Sequence, residues 1–351
     1  MFSSTVVILL VAAAAFAGDV RAPGNLSSLS KKDLLSSTDE EAVAAFVDLH
    51  ASRLRDGDAT ERPKARAKLL ADVYGISGRR ATPLFRELYA AQLIPKLKAI
   101  MTTSDTPQRI AAAQVAGGLG TDSAVNFLIR HVEPAQQPTD AVRLWTAASM
   151  RPLIAHANVT PSRLNQSIET LGRAAMAEPG WPVLRQQLET IAAAMSNQRG
   201  EDGGQADLMG IALAQQSAVL LKVVERLKGG DLDMVLVLEP HMQHIQQQFL
   251  DQGDPDTLRA LSLKTVPALS GLYDAILTNW DAIRKDQRIA QIAGRTLEKT
   301  EVMIVLMDNF LTDQSNATAP EYEGALLGNN RAAIEAGKAK WGGIAEGRIY
   351  Q

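Results

Sequence analysis

Residues 105–133 read DTPQRIAAAQVAGGLGTDSAVNFLIRHVE. The turn Gly117-Gly118-Leu119-Gly120 inside this stretch separates two readings: a loop that cradles a phosphate after a β-strand, or a break between two helices. A phosphate loop needs a strand directly before its glycines, and the nucleoside-triphosphate version needs a Lys-Ser/Thr pair after them. Ile110 to Ala116 is rich in alanine, the strongest helix former, and no lysine follows Gly120. Upstream, Thr106-Pro107 has the chemistry of a helix start: the threonine can accept a bond from an orphan amide, and proline suits the first helical position. Downstream, Thr121-Asp122-Ser123 is a polar cap leading into Ala124, Val125, Phe127, Leu128 and Ile129. The stretch is therefore read as helix, glycine turn, helix, with Gly117 and Gly120 shaping the chain and binding no nucleotide.

The same punctuation recurs outward from this unit, in Thr82-Pro83, Thr160-Pro161 and Asp254-Pro255. About 34 residues after Arg109, Arg143 occupies the matching place in Thr139-Asp140-Ala141-Val142-Arg143, followed by Trp145, Ala147, Ala148 and Met150. Pro161 to Ala177 then carries Leu164, Ile168, Leu171 and Ala175 at helical spacing, and Trp181 to Met195 carries Leu184, Leu188 and Ile191. Residues 105–133 resemble a HEAT-like repeat of the phycobilisome-lyase type. Arg109, Ala112, Ala113, Gly117, Leu119, Gly120, Ala124, Val125, Leu128 and Ile129 fall on that pattern, while Gln108 and Ala116 stand where valine and leucine are usual. The resemblance extends over roughly residues 82–196 by period and caps. It implies a helical-repeat solenoid with a binding or scaffolding role toward a protein partner.

Composition agrees with a helical chain. Of 351 residues 46% are hydrophobic but only 5% aromatic, a mixture that suits helices and lacks the residues sheets prefer. The expected fold class is all-α: a HEAT-like helical-repeat solenoid over residues 38–197, a linker over 198–205, and an antiparallel helical bundle over 206–313. Residues 314–351 read as a Gly/Ala-rich, partly ordered tail with one short helix from Asn330 to Trp341. The linker Gln198-Arg199-Gly200-Glu201-Asp202-Gly203-Gly204 is polar and unpatterned. In the second half, helices are expected near 206–228, 232–250, 255–285 and 287–310. Pro95, Pro240 and Pro267 are expected to break or kink their segments.

The first 20 residues, MFSSTVVILLVAAAAFAGDV, read as a signal peptide over residues 1–17 closing on Ala15-Phe16-Ala17, with a polar connector over 18–37. Cleavage is expected after Ala17, or after Ala22. The apolar run Thr5–Ala17 falls short of the roughly 20 residues that span a bilayer, so no stable membrane insertion is expected after cleavage. The chain has no cysteine, which excludes disulfides, thiol catalysis and lipidation of an N-terminal cysteine. Periplasmic or secreted localisation in a bacterial host is the reading that follows. Asn25, Asn158, Asn165 and Asn316 open glycosylation sequons that matter only in a eukaryotic host.

Glu239-Pro240-His241-Met242-Gln243-His244 is the most metal-like cluster, because histidines three apart share a helix face. Pro240 is expected to start a turn that directs Glu239 away, leaving two ligands on an exposed Gln/His-rich face. Neither a metal nor any cofactor is therefore expected, and His241 and His244 are the candidates for an alternative reading as a hydrolase or other enzyme, metal-assisted, with a site between helices. Asp251, Asp254 and Asp256 lack the alternation and distal glutamate of a calcium loop and read as a helix end and restart. No Gly-x-Ser-x-Gly elbow is present.

Charge carries more information than these motifs. The net charge of −3 gives no global field toward nucleic acid. Residues 50–110 nevertheless hold 12 basic against 6 acidic side chains, and residues 201–260 hold 4 against 10. Arg62, Lys64, Arg66, Lys68, Arg79 and Arg80 concentrate the basic side. Read as a solvated surface, they are the candidate contact for an acidic protein partner.

Overall fold

The computed structural model describes residues 22–74, 81–156, 159–196, 204–251 and 254–350. The expected signal peptide, Arg79, Arg80 and most of the expected polar linker lie outside the described residues. Within them all regular structure is helical and no strand occurs.

Sixteen helices follow one another among the described residues: α1 (Ser37–Asp56), α2 (Glu61–Tyr74), α3 (Pro83–Met101), α4 (Thr106–Gly117), α5 (Asp122–Ile129), α6 (Asp140–His156), α7 (Pro161–Ala177), α8 (Trp181–Ala192), α9 (Gly204–Lys228), α10 (Val235–Asp251), α11 (Pro255–Ser270), α12 (Leu272–Thr278), α13 (Trp280–Lys285), α14 (Gln287–Thr312), α15 (Tyr322–Leu327) and α16 (Arg331–Gly337). Two of the four expected Thr-Pro and Asp-Pro starts carry the expected caps. Thr82 accepts a bond from the Phe85 amide, and Asp254 accepts one from Thr257. Two caps differ from expectation. Asp105 rather than Thr106 caps α4, accepting from the Gln108 amide. Thr160 makes no side-chain cap for α7; its amide and hydroxyl instead donate to Asp122 at 2.8 and 2.9 Å, tying α7 to the start of α5.

The glycine turn is a helical break. Gly117 is the last residue of α4, Gly120 takes φ +68°, and Thr121 caps α5 by accepting from the Ala124 amide. Gly120 is thus in the left-handed region that side chains with a Cβ disfavour. Gly117 is required by packing: a Cβ there would lie 2.5 Å from the Ser149 carbonyl oxygen, so only glycine lets α4 approach α6 this closely.

Helices pack on their next-but-one neighbours. α1, α3, α5, α7, α9 and α11 contact one another in that order, as do α2, α4, α6, α8, α10 and α14, and sequential helices pair across the two rows. One hydrophobic core runs throughout, from Leu26 and Phe46 to Ile334 and Trp341. Three arginines link successive members of the second row. Arg62 at the start of α2 reaches Asp105 before α4, at 3.4 Å. Arg109 in α4 donates to the side chains of Gln137 and Thr139 before α6, both at 3.1 Å. Arg143 in α6 makes a two-pronged pair with Glu178 before α8, both bonds 2.8 Å, with the arginine 2% and the glutamate 0% exposed. The helix after the expected linker, α9, packs on α7 and α8, and Arg226 near its end donates to the carbonyls of Glu178 and Pro179.

The prolines do not end their helices. Pro95, Pro240 and Pro267 lie inside α3, α10 and α11, each costing one backbone bond while buried neighbours such as Leu97, Leu238, Met242 and Val266 hold the helix together. The expected 255–285 helix breaks instead at Gly271 and Asn279. Residues 208–228 of α9 are long and apolar enough to cross a bilayer by length and composition. Val219, Leu220, Val223 and Leu227 are fully buried and α9 packs on α7, α8, α11 and α12, so this is a core helix.

Order extends further at both ends than the sequence suggests. Leu26, in the expected connector, is fully buried and donates its amide to Asp72 at 2.6 Å. The Gly/Ala-rich segment after Asp313 folds back: α15 packs on α14 and α16 on α12. The anchor is Glu301, 5% exposed, which accepts bonds from Tyr273, Tyr322 and Thr318.

Candidate functional site

The basic residues of α2 divide by helix geometry. Arg62 and Arg66, four apart, share the face toward α4. Arg62 donates to the Gly57 carbonyl at 3.1 Å and meets Asp105, and Arg66 donates to the Gln114 side chain. Both are half-buried supports of the α2–α4 contact. Their expected place in solvent is corrected, because the next-but-one packing of α4 covers that face.

Lys64 and Lys68, also four apart, are exposed. With His50 and Arg53 of α1, and Glu61 and Ala65 of α2, they line a groove of about 230 Å³. α1 packs on α2 beside the groove, with Phe46, Val47 and Leu54 of α1 and Ala65 and Leu69 of α2 all buried in the core. His50 stands edge-on to Phe46, with ring centroids 4.4 Å apart. Burial, then the positive charges of Arg53 and Lys68, hold the His50 imidazole below its ordinary pKa, so it is neutral near pH 7. Three cations thus face one carboxylate, Glu61, across a neutral ring. Lys68 also donates to the Gly24 carbonyl at 3.4 Å, which places residues 22–26 beside the groove.

His241 and His244 do not form the exposed pair expected of them. His241 is 1% exposed, and neither of its ring nitrogens has a hydrogen-bond partner. Because α10 continues through Pro240, it carries His241 into the core between Leu238 and Met242. Burial, and then His244, push the His241 pKa down to about 3. His244 is half-buried; burial lowers its pKa, Glu189 opposes, and Arg151 and Arg185 lower it further. The two rings stand 6.1 Å apart, and Glu239 pairs with Lys299 at 2.8 Å on the α14 side. Among the described residues no group of three His, Asp or Glu side chains is placed to hold a metal ion.

Two features escaped the sequence reading. One is Glu178, an isolated carboxylate in a loop that becomes the buried partner of Arg143. The other is a second cavity between α3, α5 and α7, lined by Lys98, Arg130 and Arg163. Its cations are about 32 residues apart, so only the stacking of next-but-one helices brings them together; their near-constant spacing was the available signal.

In comparisons with known proteins, the chain matches no family model and no curated protein.

Proposed function

We propose that the chain is an exported, non-catalytic binding or scaffolding protein, built as a HEAT-like array, that takes an acidic segment of a protein partner in the α1–α2 groove. The observation that carries this reading is the groove itself: Arg53, Lys64 and Lys68 set against Glu61 alone, on exposed faces of the first helix pair. The array reading draws support from the next-but-one packing and from Arg62, Arg109 and Arg143, each reaching the start of the next helix in its row. In this reading α9, α10 and α11 extend the array instead of starting a separate antiparallel bundle, and α12–α16 cover its end. Export rests on the Ala15-Phe16-Ala17 leader.

The test uses a labelled glutamate-rich peptide as probe. Rim charges act mainly on encounter rate, so association slows with added salt and falls about tenfold or more in the Arg53→Glu/Lys64→Glu/Lys68→Glu protein. Arg62 and Arg66 are left intact because they support α4. An association rate indifferent to both salt and charge reversal refutes the reading.

A further inference from the structure

α3, α5 and α7 pack in succession, and a cavity of about 400 Å³ opens between them. Ile94 and Phe127, both buried, form its apolar floor. Around it stand Lys98 from α3, Ser123 and Asn126 from α5, Arg130 at the α5 C-cap, and Arg163 from the first turn of α7. No carboxylate lines the cavity, and among the described residues none pairs with Lys98, Arg130 or Arg163. Arg163 gives one bond to Gln166 at 2.5 Å, while its buried Nε has no acceptor. A buried cationic donor without an acceptor costs free energy, and three cations around one cleft repel one another. An anion in the cleft relieves the repulsion among the three.

We propose that this cleft binds a small multivalent oxyanion of the phosphate-ester or polycarboxylate type. The guanidinium groups of Arg130 and Arg163 match the planar faces of such oxygens two bonds at a time, and Lys98 supplies a third charge. Ser123 and Asn126 add neutral hydrogen bonds, and the ligand's carbon skeleton rests on Ile94 and Phe127. The volume lies within the range of small-molecule sites. The site is separate from the α1–α2 groove and uses none of its residues.

Calorimetric titration of the full chain with inorganic pyrophosphate, citrate and acetate at constant ionic strength tests the proposal. At least one multivalent anion binds with Kd below about 1 mM and at least tenfold more tightly than acetate. Pyrophosphate ahead of citrate assigns a phosphate-type ligand, and the reverse order a carboxylate-type ligand. Lys98→Gln/Arg130→Gln removes two exposed charges, leaves the melting curve intact, and weakens binding at least tenfold. Lys64→Gln/Lys68→Gln leaves the affinity unchanged, which separates this site from the proposed partner groove. The proposal is overturned if neither multivalent anion binds, if all three bind alike, or if the Lys98/Arg130 variant binds as the wild type does.

Discussion

Acidification loads protons onto the unfolded chain before the folded one, and His241 makes the size of that effect calculable. Its imidazole titrates near its ordinary 6.5 when unfolded, but burial in α10 lowers its pKa to about 3 in the fold. Between these values the unfolded state binds more protons, so stability rises with pH and is lost as pH falls through this window. For a single group with these two pKa values, the loss between about pH 7.5 and about pH 5 is about 2 kcal/mol. His50, His131 and His244 are also held below their ordinary values, chiefly by burial, and act in the same direction. His241→Leu isolates the one residue. Both His241 ring nitrogens lack partners, so leucine sacrifices no hydrogen bond and the variant is at least as stable near neutral pH. Urea unfolding of both proteins at the two pH values provides the assay. The wild type loses about 2 kcal/mol more than the variant on acidification, with the other histidines cancelling in the comparison. Parallel losses in the two proteins refute the placement of His241 as a buried neutral ring.

Other consequences follow from the packing. Arg143→Met strands the buried Glu178 carboxylate and destabilises the fold by about 3–5 kcal/mol in chemical unfolding; a cost near that of a surface pair refutes the buried link between α6 and α8. Gly117→Ala drives a Cβ into Ser149 and costs about 1–3 kcal/mol, whereas Gly210→Ala, with nothing within 4 Å in α9, stabilises by up to about 1 kcal/mol; equal effects would contradict the close α4–α6 approach. Leu128→Asp places a charge at a fully buried position and costs several kcal/mol, read as a collapse of the melting temperature. N-terminal sequencing of the native protein finds Gly18 first; retention of Met1 refutes the cleaved leader.

Much of the helical framework was written in short stretches of sequence. Thr82-Pro83, Asp254-Pro255 and the left-handed Gly120 act through bonds and backbone preferences that reach only three or four residues, so residue types at fixed spacing suffice to locate them. The match of Arg143 to Arg109 likewise came from period alone, and each proves to reach the start of a later helix. Faces were another matter. Whether Arg62 and Arg66 met solvent depended on α4, whether Thr160 capped its own helix depended on Asp122, and whether His241 was exposed depended on the course of α10 through Pro240. The chain's local chemistry therefore determined where several helices start and where α4 gives way to α5, but not the breaks at Gly271 and Asn279 or the passage of α3, α10 and α11 through their prolines. Only tertiary packing decided which charges support the fold, which line a groove, and that Lys98, Arg130 and Arg163 share one cleft, because each outcome depends on burial against helices distant in sequence, where local propensity has no reach.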